Sequence, residues 1–146
     1  MGIFTRFRDI VSSNINAMLD KAEDPEKLLS LMIREMEDTL VEIKASCAGV
    51  MANVKRVRRQ GDEAHARAKG WEEKAGLAVN KGRDDMAREA LIEKRRFTDR
   101  ANSFVKEFGD LSILVEQYQA DIQQLEDKLQ NDHDQEVNTN QHGCPN

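Results

Sequence analysis

The sequence predicts an all-α protein: a long antiparallel coiled-coil helical hairpin preceded by an N-terminal amphipathic helix. Three observations carry this. No proline occurs between Pro25 and Pro145, so the strongest helix breaker is missing from most of the 146 residues. Apolar and small residues recur through two long stretches at alternating steps of three and four, the spacing of a heptad seam. Charged residues make up 34% of the chain and aromatic residues 5%, with a mean hydropathy of −0.70. That composition suits narrow helix-to-helix seams and leaves too little bulky apolar material for a thick globular core. A single elongated unit fits this length, and a multidomain enzyme does not.

The first element, residues 1–23, is read as one amphipathic helix. Ile3, Phe4, Phe7, Ile10, Val11, Ile15, Met18 and Leu19 share a face, with Arg6, Arg8, Asp9, Ser12, Ser13 and Asn16 opposite. A two-helix rod has little core to receive this helix, which favours a membrane surface as its seat. On that reading Ile3, Phe4, Phe7, Ile10, Val11 and Ile15 enter the lipid boundary while Arg6 and Arg8 meet anionic headgroups. The alternative is a helix packed on the rest of the protein, since periodicity does not name the surface that an apolar face buries against. Any membrane contact is expected to be peripheral. No run of 18 apolar residues exists, and Arg6, Arg8, Asp9 and Asp20 interrupt the segment where a secretory signal would lie. Arg6 also stands where a myristoylation motif wants Ser or Thr.

The second element is the hairpin, residues 24–129. Asp24 is suited to cap a helix, Pro25 to open it, and Glu26 to favour the positive end of its dipole. The first arm carries Ile33, Leu40 and Cys47 at a positions and Met36, Ile43 and Val50 at d, continuing through Val57, Gly61, Ala64, Ala68, Trp71 and Ala75. A turn is expected near residues 80–84, with Gly82 ending one helix and Asp84 capping the next. The pattern resumes through Ala87, Ala90, Lys94, Phe97, Ala101, Phe104, Phe108, Tyr118, Ile122 and Leu125. Folding the arms about this turn sets Gly61 against Phe104, Ala68 against Phe97, Cys47 against Tyr118 and Leu40 against Leu125. Large residues then fall opposite small ones. Trp71 falls opposite Lys94, placing an ammonium over the indole. Residues 130–146 contain only Val137 and Cys144 as apolar residues and read as a disordered polar tail.

The chemistry-bearing residues are sparse. A net charge of −5 and a pI near 5.3 argue against direct binding of nucleic acid. Cys47 and Cys144 are far apart and unpaired in spacing, which excludes a disulfide framework or zinc ribbon and fits a reducing compartment. His65, His133 and His142 share no metal-ligand spacing. There is no glycine-rich phosphate loop, nucleophile elbow or paired zinc histidines. No catalytic residue, metal or cofactor is therefore expected. Two basic runs, Lys55-Arg56-Val57-Arg58-Arg59 and Lys94-Arg95-Arg96 with Arg100, are read chiefly as a solvated flank matched by Glu63, Asp99, Glu107 and Asp110, and secondarily as an anion or nucleic-acid patch. Leu28, Leu31, Ile92 and Ile113 lie off the seam and are candidate partner-binding residues.

Several runs carry a family resemblance: Gly2-Ile3-Phe4-Thr5-Arg6-Phe7, Asn14-Ile15-Asn16-Ala17, Ala22-Glu23-Asp24-Pro25, Glu35-Met36-Glu37-Asp38-Thr39-Leu40, Trp71-Glu72-Glu73-Lys74-Ala75 and Ala90-Leu91-Ile92-Glu93-Lys94. Over residues 1–129 the chain resembles the phage shock protein A (PspA) family of bacterial stress proteins. The resemblance implies a membrane-sensing amphipathic helix and a helical hairpin related in architecture to the membrane-remodelling ESCRT-III proteins. It also implies two activities: maintaining the inner membrane from its cytoplasmic face, and inhibiting PspF, the AAA+ transcription activator that works with sigma-54 polymerase. The implied partners are that activator, anionic membrane lipids and further copies of the chain. A structural membrane scaffold of ESCRT-III-like architecture, without transcriptional regulation, is the alternative.

Overall fold

The computed structural model describes residues 2–142, which form four helices: α1 (Ile3–Ser12), α2 (Ile15–Asp20), α3 (Pro25–Asn80) and α4 (Asp84–His142). The long helices α3 and α4 pack against each other as an antiparallel hairpin. The start of α3 follows from its residues: Asp24 Oδ1 accepts from the Lys27 amide at 3.2 Å, and Glu26 lies in the first turn. Its end is a Schellman motif. The Gly82 amide donates to the Val79 carbonyl at 3.0 Å and the Arg83 amide to the Ala78 carbonyl at 2.8 Å. Gly82 has φ 71°, a conformation that glycine adopts without a Cβ clash. Asp84 and Asp85 then supply negative charge to the first turn of α4.

The chain divides into two compact units. One is Gly49–Val115, containing the turn. Its seam is lined by buried Val57, Ala64, Ala68 and Ala75 from α3 and Ala87, Ala90, Phe97 and Ala101 from α4. The pairing register is visible at Gly61, where an added Cβ would lie 3.3 Å from the Cβ of Phe104. Lys94 does not cover Trp71 as expected. Its ammonium pairs with Glu72 at 3.5 Å, while Lys74 lies 4.3 Å from the centre of the indole. Lys74 is three residues from Trp71 on the same helix, within side-chain reach, and the carboxylate of Glu72 draws Lys94 aside.

The second unit is built from the chain up to Ala48 and from Glu116 onward. Leu29, Ile33, Met36, Ile43 and Cys47 of α3, Tyr118 and Leu125 of α4, and Ile15 of α2 form its core. Polar pairs mark the alignment of its long helices: Lys44 with Glu126 at 3.1 Å, Glu37 with His133 at 3.3 Å, and Ser30 with Glu136 at 3.1 Å.

Two boundaries differ from the sequence expectation. The segment expected as one helix over residues 1–23 is two helices, because the Ser12-Ser13-Asn14 run offers side-chain competitors for backbone hydrogen bonds. Ser13 Oγ donates to the Ile10 carbonyl at 2.6 Å, Asn14 is extended, and its Oδ1 accepts from the Ala17 amide at 3.2 Å to cap α2. The expected polar tail is helical from 130 to 142, and residues 143–146 lie outside the described residues. What orders this segment is polar contact rather than apolar burial: His133 and Glu136 reach α3, Gln135 Nε2 donates to Asn16 Oδ1 at 3.0 Å, and Gln130 bonds Asp134 one turn on.

Candidate functional site: an amphipathic helix and its seat

Within the unit built from the chain ends, α1 lies on the base of the hairpin. Ile3, Phe7, Ile10 and Val11 are half-buried there, and Arg6, Arg8 and Asp9 are exposed. No residue of α1 is fully buried, and Phe4 keeps 44% of its surface. The Phe4 ring meets Tyr118 with centroids 5.5 Å apart, and Arg6 pairs with Glu42. At the break after α1, Lys128 Nζ donates to the Ser13 carbonyl at 3.4 Å.

The expectation that a two-helix rod has little core to receive this helix is thereby corrected. The hairpin base carries a second stripe on α3: Met32 and Glu35 line a cleft of about 300 Å³ together with the seam residue Met36, Ile10 and Lys128, and Glu42 continues the helical spacing of Met32 and Glu35. Thr39 falls on that stripe. It is fully buried, and its Oγ1 has no hydrogen-bond partner.

The electrostatics of the unit are those of a partly dry surface. Asp132 is buried with Oδ2 unpartnered, and desolvation holds its carboxyl above the ordinary range against the opposing pull of Lys128 and His133. Burial raises Asp121 likewise.

Of the seam residues, Cys47, Ala68, Phe97 and Tyr118 are buried, while Leu40, Gly61, Trp71 and Phe104 are half-buried. Among the partner candidates, Leu31, Ile92 and Ile113 keep 53%, 65% and 57% of their surface, whereas Leu28 is half-buried. The basic runs are not matched as expected. Among the described residues Glu63, Asp99, Glu107 and Asp110 form no ion pair; the carboxylates engaged are Glu93 with Arg96 and Glu72 with Lys94. The guanidinium groups of Arg67, Arg96 and Arg100 instead lie 5.7, 5.9 and 5.8 Å from the centre of the Phe97 ring.

Sequence reasoning missed Thr39, Glu42, Lys128 and Asp132. None stands out from its polar neighbours; only the three-and-four spacing of Met32, Glu35, Thr39 and Glu42 marks a second face. Among the described residues no helix is long and apolar enough to cross a membrane, and no group of three His, Cys, Asp or Glu side chains is placed to hold a metal ion.

Fold and site together define a helical hairpin with a short amphipathic helix seated on its base by surface contacts. The PspA/IM30 family model matches residues 2–139, and the chain belongs to that family. The match runs past Leu129 into the polar part of α4. The chain is 37% identical over 129 residues to the membrane-associated protein Vipp1 of Nostoc punctiforme, covering 88% of this chain and 50% of that protein. It is 35% identical over 135 residues to the phage shock protein A homolog of Bacillus subtilis, covering 90% and 56% respectively. To protein LiaH of the same organism it is 23% identical over 128 residues, covering 88% and 57%. The chain thus spans about half the length of the curated relatives it matches.

Proposed function

We propose that the protein associates peripherally with the cytoplasmic face of the inner membrane through α1 and acts there in the response to membrane stress. The observation that carries this reading is α1 itself. It has an apolar face of Ile3, Phe4, Phe7, Ile10 and Val11 with no fully buried residue, flanked by the exposed cations Arg6 and Arg8. The relatives named as membrane-associated support it. The test is vesicle binding of the full chain. Phe4→Glu with Phe7→Glu removes insertion area and adds charge that anionic lipid repels, so binding is expected to be lost while helix content persists. Unchanged binding would falsify the membrane role.

The finer reading is that the hairpin binds and inhibits an AAA+ transcription activator of the PspF type. Such restraint acts by docking that favours a less active arrangement of the ATPase subunits, which calls for contact residues away from the seam. Ile92 and Ile113 are exposed in this way. Ile92→Asp with Ile113→Asp is expected to weaken inhibition of the activator's ATPase with the fold intact. A scaffold without transcriptional regulation is the second reading, supported by the Vipp1 relatives. A full chain that binds vesicles and leaves the ATPase rate unchanged selects it.

A further inference from the structure

We propose that the hairpin base and the lipid surface compete for the same face of α1, so that membrane binding requires α1 to leave its seat. This rests on the membrane reading above. The residues that would enter lipid are partly covered in this structure: Phe4 meets Tyr118, Ile10 lines a cleft with Met32 and Met36, and Ile3, Phe7 and Val11 are half-buried. Arg6, which would meet a headgroup, is engaged by Glu42. One helical face serves one surface at a time.

The seat is built to release. Arg6 and Glu42 keep 43% and 49% of their side-chain surface, the setting in which an ion pair is weak. The hydrogen bond from Lys128 to the Ser13 carbonyl is long at 3.4 Å. The cleft of about 300 Å³ lined by Ile10, Met18, Leu31, Met32 and Met36 forfeits the close packing that would lock the helix down.

The hinge is also visible. The chain is extended at Ser13 and Asn14, and Asn14 caps α2 through its own side chain, so α2 keeps its first turn whether or not α1 is docked. Ile15 is buried, and Asn16 accepts from Gln135. These hold α2 on the hairpin while α1 swings. Arg8 is exposed and makes no ion pair among the described residues, so an anionic surface meets a cation before α1 has moved.

Two substitutions on the hairpin test the competition, because they alter the charge in opposite directions and leave every lipid-facing residue of α1 intact. Glu42→Gln frees Arg6 and removes a negative charge. Lys128→Met frees the Ser13 carbonyl and removes a positive one. The full-length variants are titrated with vesicles of phosphatidylglycerol and phosphatidylethanolamine at fixed salt, with helix content checked by circular dichroism.

Competition predicts that both bind about two- to fivefold more tightly, the range expected when one exposed contact is withdrawn from the closed state. Bulk electrostatics alone predicts tighter binding for Glu42→Gln and weaker binding for Lys128→Met. An unchanged or weaker affinity for Lys128→Met overturns the proposal, and so does an unchanged Glu42→Gln. Adding Phe4→Glu to each variant separates the two ideas. If binding survives that change, the membrane role of α1 fails; if binding is lost but Lys128→Met alone gave no gain, only the competition fails. Should Lys128→Met lose helix content, Lys128→Gln replaces it with the same expectation.

Discussion

Gly61 and Phe104 approach so closely that a Cβ on the glycine would stand 3.3 Å from the Cβ of the phenylalanine. The missing side chain is therefore what lets the two helices meet at this layer of the seam. Gly61→Leu is expected to destabilise the hairpin by about 1–3 kcal/mol despite its better helix propensity. Gly76→Ala, where the added carbon meets open space, is expected to stabilise by about 0.5–1 kcal/mol. Thermal melts of the two variants should move in opposite directions.

The same approach makes a crosslink. In a chain with Cys47 and Cys144 replaced, Gly61→Cys with Phe104→Cys is expected to oxidise to a disulfide, since the Cβ separation is near that of native bridges, about 3.8 Å. Gly61→Cys with Phe97→Cys, two turns out of step, is expected to stay reduced. Non-reducing mass spectrometry distinguishes them.

Trp71 is the sole tryptophan and Lys74 lies over its ring. Lys74→Gln is expected to change the intensity and position of Trp71 emission, and Lys94→Gln to leave both nearly unaltered because Lys94 is directed to Glu72. The opposite pattern would return Lys94 to the indole.

Asp132 links stability to pH. Its carboxyl is raised by desolvation, so the native state holds the proton at a pH where the unfolded chain has already released it. The contribution of this group to stability therefore falls as pH rises out of the ordinary carboxylate range. Asp132→Asn is expected to raise Tm near neutrality, with the gap closing once the solution is acid enough to protonate the unfolded aspartate. A gap that widens on acidification would reverse the sign.

The hairpin was legible because its determinants are apolar or stereochemical. Cys47, Ala68, Phe97 and Tyr118 repeat at heptad spacing, Asp24 and Pro25 announce a helix start, and Gly82 followed by Asp84 announces a stop and a restart. The seat of α1 was not legible, because the residues that make it are polar. Arg6 and Glu42 are two charges among many, and Lys128 acts through a backbone carbonyl. Thr39 counts as polar in any periodicity, yet it is as buried as Met36. The end of α4 was missed for the same reason. His133, Gln135 and Glu136 hold it by hydrogen bonds and ion pairs that a search for apolar repeats passes over.

The alanines of the seam have a mechanical consequence. Within Gly49–Val115, Ala64, Ala68, Ala75, Ala87, Ala90 and Ala101 are buried. Alanine removes little apolar area from water, and each layer of a two-helix seam touches only the layers beside it. Those layers resist opening weakly, and the buried Phe97 among them is a larger step. Amide exchange is expected to be fastest beside Gly82, to slow at Phe97 and to slow further towards Val57 and Phe104. The alanine layers beside the turn are therefore where this unit is expected to open first.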